Sequence, residues 1–377
     1  MRILFLTHYS FLYGSNRSLA SLINHYILQG EHVEVMLPSR GAFYHYLVKR
    51  GVKVHHFMFL YEVLYYKLNT KYLSLPLLWL YDILMLPLLC YKIYKIKPDI
   101  IYTNSTADLI SVWIAKFLKR KHIVHVREFM EEDFGARCIF GKIAKRNIIL
   151  KSDGVICVSN AVAKSVIGTL PSNVKVIYNG LPHPQNDYTY PDLTKSLKIG
   201  VVGNIDISKQ QDLAISYMPI ILQYYPYAEL HIIGDKDCPY KKKIKQQVQD
   251  LNLDKKVIFD GFVKYVEDIY EKFDVLLMCS RSEAFGRVTV EAMLRKKPVI
   301  GYDAGGTTEL INNGETGFIF KNVDDVVSAL DIIVNEKRKM HTIVDKALNF
   351  ANEIFSESNY VKQNYEFVNN LFNGQKA

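Results

Sequence analysis

The chain has 377 residues, which is long enough for two domains that each bury a core. A hydrophobic fraction of 49% with 23% charged residues excludes an intrinsically disordered chain. The net charge of +9 suits an anionic ligand or an acidic membrane surface. Because no DNA- or RNA-binding motif accompanies this charge, we expect no nucleic-acid partner.

The cysteines and the N-terminal segment indicate the cellular compartment. The five cysteines are scattered and form no CxxC pair, which is typical of reduced, mostly buried thiols in a cytoplasmic protein. Residues 1–8 are typical of a first strand rather than of a signal peptide, because the apolar run is short and no small-residue cleavage site follows.

The N-terminal half alternates short apolar strands with helices, a pattern typical of parallel βαβ units. The first helix is predicted from about Arg17 to Gln29. The loop before it contains Tyr13, Gly14 and Ser15 but lacks GxGxxG, so a dinucleotide site is disfavoured. It is either a flexible loop at a binding site or an ordinary turn. The predicted strands are 2–7, 32–37, 52–57, 99–103, 122–126, 154–158 and 174–178.

Within residues 58–97, the stretch 73–91 is rich in Leu, Tyr and Trp but is interrupted by Pro76, Asp82 and Pro87. A membrane-spanning helix needs about 20 residues with almost no charge, so these interruptions argue against a span. We favour a pair of helices packed on the first domain. The alternative is a basic, aromatic surface that rests on a membrane, because three lysines follow between positions 92 and 97.

A segment with three prolines and many polar residues, 181–196, has the composition of a linker. A second alternation follows it, and the chain after residue 323 is predicted to be helical. The predicted strands of this half are 197–202, 229–233, 257–259, 273–279, 299–302 and 317–320. The predicted organisation is a first domain, 1–180, a linker, 181–196, a second domain, 197–355, and a helical tail, 356–377.

Two glutamates, Glu283 and Glu291, enclose the pair Phe285–Gly286 in the loop and helix that follow a buried strand. Open α/β sheets bind ligands at the carboxyl ends of their strands. Gly286 lets the backbone approach a ligand closely, and the helix start at Arg287–Val288 suits a phosphate. These features predict a ligand that carries hydroxyls and phosphate.

Lys209 follows the loop Gly203–Asn204 at the start of the second domain. A lysine there can neutralise a diphosphate, and its alternative is a solvated surface lysine. After the strand 299–302, the pair Gly305–Gly306 allows a tight turn. Thr308 either caps the next helix or contributes to a second wall of amides and hydroxyls along the site.

His125, Arg127 and Glu128 end a strand of the first domain, and alternation places His125 and Arg127 on one face. We favour a functional role, with an Arg127–Glu ion pair that supports a loop as the alternative. Asp235–Asp237 has the DxD spacing of metal-dependent enzymes, but no other carboxylate cluster supports a metal. We interpret it as a solvated loop.

Together these segments resemble the retaining glycosyltransferases of family 4 over nearly the whole chain. The stretch from Glu283 to Glu291 matches that family's E-x7-E motif, and Gly305–Glu309 and Asn313–Gly317 match the segments that follow it. The resemblance implies the GT-B fold. That fold is an α/β architecture of two Rossmann-like domains facing across a cleft, with C-terminal helices that pack back toward the N-terminal domain.

The resemblance also implies an activity. A sugar would pass from a nucleotide diphosphate sugar, with UDP as the default, to a hydroxyl of a glycan or lipid-linked glycan. The configuration at the anomeric carbon would be retained, and neither a metal nor another cofactor would be needed. The family suggests bacterial surface polysaccharide or glycoconjugate assembly by a cytoplasmic enzyme that associates peripherally with the inner face of the membrane.

The resemblance assigns roles to single residues. Glu291 would bind the ribose hydroxyls, amides from Gly286 to Thr289 would bind the diphosphate with Lys209, and Glu283 would face the donor sugar. The other expected donor-side residues are Gly14, Ser15, Asn204, Phe262, Val263, Phe285, Arg287 and Val288. The acceptor-side residues are His125, Arg127 and Glu128, and the candidates for catalysis are Glu283, His125 and Arg127.

Two positions depart from the family pattern. Asn204 stands where the family often has an arginine, and Arg287 is the candidate replacement. Arg127–Glu128 stands where a His-Asp pair is common, which leaves open whether His125 or Arg127 meets the acceptor. A catalytically silent nucleotide-sugar-binding protein and a nucleotide-sugar epimerase therefore remain as alternatives.

Overall fold

The computed structural model describes residues 1–12, 14–57, 65–67, 75–138, 141–186, 188–190, 193 and 196–374. The chain divides into two compact units. Unit 1 consists of Met1–Gly180 together with the C-terminal segment from Glu357, and unit 2 consists of Leu181–Ser356.

Unit 1 is built on a parallel sheet whose inner strands are largely apolar and buried because helices cover both faces. The sheet strands are Arg2–Leu6 (β1), His32–Leu37 (β2), Lys53–His56 (β3), Ile100–Thr103 (β5), Lys121–Val126 (β6), Gly154–Cys157 (β8) and Val174–Val176 (β9). Their order in the sheet is β3-β2-β1-β5-β6-β8-β9 among the described residues. Outside this sheet, Tyr65–Lys67 (β4) pairs antiparallel with Ala136–Cys138 (β7).

Helices cover this sheet, and one of them comes from the far end of the chain. The last helix buries Tyr360 and Phe367 in the same core as Phe5 and Tyr26 of unit 1, as expected for a C-terminal helix that packs back on this domain. The helices of unit 1 are Gly14–Leu28 (α1), Ala42–Lys49 (α2), Leu75–Ile96 (α3), Ile110–Phe117 (α4), Glu131–Phe134 (α5), Gly141–Ile149 (α6), Asn160–Val162 (α7) and Glu357–Phe372 (α15).

The predicted pair of helices within residues 58–97 has one described member, α3, which continues through Pro87. Pro87 removes one intrahelical hydrogen bond but lies on an exposed face, where water can satisfy the carbonyl that it leaves free. Pro76 is the second residue of the helix, where a missing amide costs little. Residues 58–64 and 68–74 of this region lie outside the described residues. Among those that are described, no helix combines the length and the apolar character that crossing a bilayer requires.

Unit 2 is a second parallel sheet, in the order β12-β11-β10-β13-β14-β15. Apolar side chains of its strands and covering helices form one core. The strands are Leu197–Val202 (β10), Ala228–Ile233 (β11), Val257–Gly261 (β12), Val275–Met278 (β13), Val299–Tyr302 (β14) and Phe318–Phe320 (β15). The helices are Gln211–Tyr224 (α8), Pro239–Asp250 (α9), Val266–Glu271 (α10), Arg287–Met293 (α11), Thr307–Leu310 (α12), Val323–Asn335 (α13) and Lys337–Ile354 (α14).

The segment predicted as a linker is attached to unit 2 in its described part. The amide of Leu181 donates to the carbonyl of Phe355 at 2.9 Å. Tyr190 stacks on His341 with ring centroids 3.7 Å apart, and its hydroxyl donates to Asp345 at 2.6 Å. Residues 187, 191–192 and 194–195 of the segment lie outside the described residues.

Candidate functional site

The strand order of unit 2 locates a ligand site. β10 and β13 are neighbours in the sheet, although two strands separate them along the chain. The strand order therefore reverses between them, and open α/β sheets bind ligands in the crevice at such a point, beyond the carboxyl ends of the strands. The loop after β10 carries Asn204 and Lys209, and the loop after β13 carries Glu283.

These two loops bring a cation and a carboxylate into contact. Nζ of Lys209 lies 2.5 Å from Oε2 of Glu283, with side chains that are 29% and 16% exposed. The 3₁₀ turn Ile207–Lys209 is capped by Asp206, which accepts from the amide of Ser208. The carbon chain of Lys209 packs against Gly203, whose φ of +144° favours glycine. The capped turn and Gly203 therefore restrict Lys209, and the ion pair is still partly open to solvent.

The pair Gly305–Gly306 seats the loop that carries Glu283. The amide of Gly306 donates to the carbonyl of Glu283 at 2.7 Å. A Cβ atom at Gly305 would lie 2.9 Å from that carbonyl oxygen, and one at Gly306 would lie 2.8 Å from the carbonyl oxygen of Ala284. Both glycines are therefore required for the close approach of the two loops.

Thr308 does not cap α12, contrary to one of the two interpretations of its sequence. The residue at the N-cap is Gly306, which provides no side-chain hydrogen bond. The hydroxyl of Thr308 instead donates to the carbonyl of Gly305 at 3.1 Å, within the turn. Its role in the described structure is to fasten this turn.

Glu291 is positioned by a tyrosine that sequence reasoning did not select. The hydroxyl of Tyr270 lies 2.9 Å from Oε2 of Glu291. Burial raises the pKa of Tyr270 well above its usual value, so the hydroxyl stays protonated and donates to the carboxylate. Nη2 of Arg287 lies 3.5 Å from the other oxygen of Glu291. The glutamate is thereby oriented by Tyr270 on one side, with Arg287 close by on the other.

The start of α11 is formed by Gly286, whose φ of +97° is left-handed and which serves as the N-cap. A Cβ atom there would lie 2.7 Å from Cδ1 of Leu310, so space also requires glycine. Thr289 in the first turn is fully buried. The carbonyl of Val288 lies 3.2 Å from the Tyr270 hydroxyl, so the first turn of α11 is also tied to Tyr270.

The side chain of Phe285, one of the expected donor-side residues, lies in the interior. Its side chain is 4% exposed and packs edge-on against Phe355 with ring centroids 5.7 Å apart. Phe262, directly after β12, is by contrast 71% exposed and available to a ligand, with Val263 beside it. Asn204 is exposed and uses its carbonyl to accept from the amide of Gln211 at 3.0 Å.

The DxD-like segment of unit 2 is engaged in surface ion pairs. Asp235 contacts Lys241 at 2.5 Å, and Lys236 contacts Asp206 at the same distance. Within the part of the chain that the structure describes, no group of three His, Cys, Asp or Glu side chains is arranged to hold a metal ion. Metal independence stays a prediction.

In unit 1, Arg127 joins three separate segments. Its guanidinium donates to Oδ1 of Asn104 at 2.7 Å, to Oδ1 of Asn179 at 2.7 Å and to the hydroxyl of Tyr360 at 2.9 Å. The side chain is buried and these partners are neutral. The interpretation as an Arg127–Glu ion pair is therefore wrong, and Arg127 ties the loops after β5 and β9 to α15.

Glu128 organises the loop after β5. Its Oε1 accepts from the hydroxyl of Ser105 at 2.6 Å, from the amide of Thr106 at 2.9 Å and from the Thr106 hydroxyl at 3.2 Å. These donors stand at the carboxyl end of β5, beside β1 at the point where the strand order of unit 1 reverses. Glu128 therefore shapes the edge of the sheet at which an acceptor is expected.

His125, one of the residues expected on the acceptor side, lies in the core of unit 1. The ring is fully buried, and its Nδ1 lies 2.7 Å from the hydroxyl of Tyr102. That hydroxyl also accepts from the side-chain amide of Asn364 at 2.9 Å. Burial, and then the Arg127 charge, hold the pKa of His125 well below its usual value.

The loop before α1 is more constrained than a flexible loop would be, and Tyr13 in it lies outside the described residues. Gly14 begins α1, and the hydroxyl of Ser15 hydrogen-bonds to that of Tyr9. The buried amide of Asn16 donates to the carbonyls of Tyr9 at 3.0 Å and Phe11 at 2.8 Å. Asn16 therefore fixes the described part of this loop.

The structure thus pairs Glu283 with Lys209 and Glu291 with Arg287, and it places Arg127 and Glu128 directly after β6 in unit 1. Sequence reasoning did not select several residues that orient these groups. The polar run Asn104–Thr106 after a buried strand was a detectable signal, whereas Tyr270 and Tyr360 carry no local signal of their roles. The residues in question are Asn16, Asn104, Ser105, Thr106, Asn179, Tyr270 and Tyr360.

Two family descriptions match successive parts of the chain. Residues 13–183 match the model described as Glycosyltransferase Family 4, and residues 191–350 match Glycosyl transferases group 1. Among curated relatives, the poly(ribitol-phosphate) alpha-N-acetylglucosaminyltransferase of Staphylococcus aureus is 24% identical over 61% of this chain and 50% of its own length. An uncharacterized glycosyltransferase of Methanocaldococcus jannaschii is 29% identical over 55% of this chain and 58% of its own. The chain thus spans about half the length of these curated relatives.

A solved structure extends the similarity to the whole fold. HepE of Anabaena, crystallised in complex with UDP, superposes with a TM-score of 0.80 at 23% identity, over 98% of this chain and 100% of that one. The two successive family matches and this shared architecture agree with the two doubly wound units described above. The chain belongs to the family 4 glycosyltransferases of the group 1 type and has their two-domain GT-B fold.

Proposed function

We propose that the protein is a retaining, metal-independent glycosyltransferase that moves a sugar from a nucleotide diphosphate sugar, with UDP as the nucleotide, to an acceptor hydroxyl. One observation carries the proposal. At the point where the strand order of unit 2 reverses, the Lys209–Glu283 pair supplies a cation for a diphosphate and a carboxylate for a sugar. Glu291, held by Tyr270, supplies a second carboxylate for the ribose.

We assign donor binding to unit 2. Glu291 accepts from the ribose hydroxyls, while Lys209 and the amides from Gly286 to Thr289 bind the diphosphate. The exposed Phe262 offers a ring face to the base. The bound UDP in HepE of Anabaena, which shares the fold, supports the choice of this nucleotide.

Transfer breaks the bond between the anomeric carbon and the diphosphate and forms a bond from that carbon to the acceptor oxygen. Negative charge develops on the departing diphosphate, and Lys209 stabilises it from a fixed position. Positive charge develops on the sugar ring, and Glu283 favours it. The acceptor attacks from the side that the leaving group departs from, so a phosphate oxygen takes the acceptor's proton.

We assign acceptor binding to unit 1, at the strand ends organised by Arg127 and Glu128. The acceptor is a glycan or a lipid-linked glycan, and the process is bacterial surface polysaccharide or glycoconjugate assembly at the cytoplasmic face of the membrane. In support, the Staphylococcus aureus relative is named for N-acetylglucosaminyl transfer to poly(ribitol-phosphate). Buried His125 has no direct part in this assignment.

A thermal-shift screen of UDP, GDP, ADP and their sugars tests the donor assignment, because a ligand that binds only the native state raises its melting temperature. We expect UDP and one UDP-sugar to raise the melting temperature of the wild type, and the Lys209→Ala variant to respond much less. An equal response of both proteins would overturn the placement of the diphosphate.

Product analysis then separates the proposal from its alternatives. Incubation with the stabilising UDP-sugar and no acceptor should release UDP slowly, by hydrolysis, and the Glu283→Ala variant should release less. Binding without any release would identify a catalytically silent binding protein. A new nucleotide sugar formed without an acceptor would identify an epimerase.

A further inference from the structure

The helix α3 of unit 1 is apolar on two opposite sides. One side packs Leu89, Ile93 and Ile96 into the core of the unit. The other presents Ile83 and Leu84, which are 66% and 65% exposed. A helix that is hydrophobic all round is normally buried on all sides, whereas the outer side of α3 is exposed where the structure describes it. The outward-facing large apolar residues of α3 are Leu80, Ile83, Leu84, Leu88, Tyr91 and Tyr94.

The neighbouring helix α4 extends this apolar surface. Trp113 and Phe117, one turn apart, are 46% and 78% exposed. Together with Tyr91 and Tyr94 of α3 they wall an open groove of about 560 Å³. The exposed apolar side chains thus form one continuous area over two helices, and such areas mark interaction sites rather than ordinary surface.

Positive charge surrounds this area. Nζ of Lys151 lies 4.1 Å from the centre of the Trp113 ring, and that of Lys95 lies 5.4 Å from the centre of the Tyr91 ring. Lys116 of α4 is also exposed. The segments 75–98 and 110–121 together contain seven Lys or Arg residues and one acidic residue, Asp82. Any partner of this surface must therefore be apolar in the middle and negative at its edge.

We propose that α3 and α4 form a docking surface for an anionic lipid bilayer, with the apolar side chains in the headgroup and acyl boundary and the lysines at the phosphates. Tyr and Trp rings suit this boundary because each has an apolar body and a polar end. The lysines add electrostatic attraction to anionic lipids. The groove walled by Trp113 and Tyr91 can receive the acyl chain of one lipid.

The inference gives the proposed membrane association a defined surface and an anionic partner. It does not depend on the proposed sugar transfer, because lipid binding can be measured without a donor or an acceptor. A failure of one proposal therefore leaves the other untouched.

The test is flotation of the full-length protein with vesicles of phosphatidylcholine alone and of phosphatidylcholine mixed with phosphatidylglycerol, at low and raised salt. We expect flotation with the mixed vesicles, weakened by salt because exposed charges are screened. The double variant Ile83→Ser and Phe117→Ser should lower the partition coefficient at least about tenfold. Neutralising Lys95 and Lys116 to Gln should lower it roughly 25-fold, at about fivefold per lysine.

Matched variants on α1 and α2, outside the proposed docking surface, control for general surface effects. Leu28→Ser on α1, where the side chain is 82% exposed, and Lys49→Gln on α2 should float like the wild type. Unchanged melting temperatures establish that each variant is folded. Absence of flotation, or equal losses in the control variants, would overturn the proposal. So would a concentration-dependent dimer that Phe117→Ser abolishes while vesicle binding is absent, because the surface would then bind a second copy of the chain.

Discussion

Nζ of Lys209 lies 2.5 Å from Oε2 of Glu283, so the cation assigned to the diphosphate and the carboxylate assigned to the sugar neutralise each other in the ligand-free chain. A diphosphate that arrives at Lys209 competes with Glu283 for the same ammonium. As the ammonium turns toward phosphate, Glu283 loses part of its partner and becomes more available to a positive sugar ring. In the proposed mechanism, the pair thereby links donor binding to the state of the carboxylate assigned to the sugar.

Removing Glu283 should therefore separate binding from turnover. We expect Glu283→Ala to lower kcat by about 10²-fold or more, because it removes electrostatic stabilisation of the reacting centre. The Kd for UDP should stay the same or fall slightly, since Lys209 no longer has a competing carboxylate. Calorimetry with UDP and a UDP-release assay measure the two effects. A variant that loses UDP affinity and turnover in parallel would contradict this division of roles.

Removing Lys209 should have the opposite effect on the nucleotide. Lys209→Ala removes a charge-assisted contact and should weaken UDP binding by about 10- to 100-fold. Lys241→Ala, which removes an ion pair with Asp235 on the surface of the same unit, should stay within about twofold. An equal loss in both variants would point to a general effect of positive charge rather than to the assigned contact.

Glu291→Gln keeps an oxygen that can accept from Tyr270 and so preserves the local packing. If Glu291 binds the ribose, the wild type should bind UDP more tightly than its 2′-deoxy analogue. The ratio of the two Kd values should be about tenfold smaller in the variant. Tyr270→Phe should reproduce part of this loss. Glu267→Gln, beside Arg295, is the matched change and should leave the preference intact. An unaltered preference in Glu291→Gln would remove the ribose assignment.

Arg127→Ala leaves Asn104, Asn179 and Tyr360 without their shared donor in a buried setting. We expect the free energy of unfolding to fall by about 3 kcal/mol, and Tyr360→Phe to cost about 1 kcal/mol. Arg137→Ala, which removes an exposed ion pair with Glu131, should cost less than about 1 kcal/mol. Urea unfolding measures all three, and a near-neutral Arg127→Ala would contradict the structural role.

Because two histidines of β6 are buried, we expect the protein to lose stability in mild acid. Burial lowers the pKa of His122 from 6.5 to about 3, and burial holds that of His125 well below its usual value. The unfolded chain takes up these protons as the pH falls through 6.5, whereas the folded chain does not. Between pH 7 and pH 5 the unfolded state therefore binds more protons, and stability falls, by about 2 kcal/mol for His122 at pH 5.

The measurement is the free energy of unfolding at several pH values between 5 and 8. His122→Asn should lower stability at neutral pH, because three hydroxyl contacts change, but it should flatten the acid slope. An unchanged slope would mean that His122 takes up its proton in the folded chain as readily as in the unfolded one.

Sequence patterns predicted the strands of both sheets well, because each buried parallel strand is a short apolar run with a turn signal after it. The bounds of β2, β10 and β14 agree with prediction at both ends. The bounds of α3 were not predicted, because a proline inside a helix usually ends it, whereas Pro87 lies on an exposed face and is tolerated.

The partners of the site residues were harder to predict than the elements that carry them. Tyr270 precedes Glu291 by 21 positions, and Tyr360 follows Arg127 by 233. Contacts of this kind follow from the order of strands in a sheet and from the return of α15, neither of which leaves a local pattern. The pairing of Lys209 with Glu283 was expected only as two groups lining one site.

The return of α15 to unit 1 also sets an order of events during synthesis. All of unit 2 precedes residue 357, so a chain emerging from the ribosome can complete that unit while the core of unit 1 still lacks Tyr360 and Phe367. N-terminal domains usually fold first, but here unit 1 cannot complete its core until α15 has been synthesised. A stop codon a few residues after position 356 would therefore leave the second unit intact and expose apolar surface in the first.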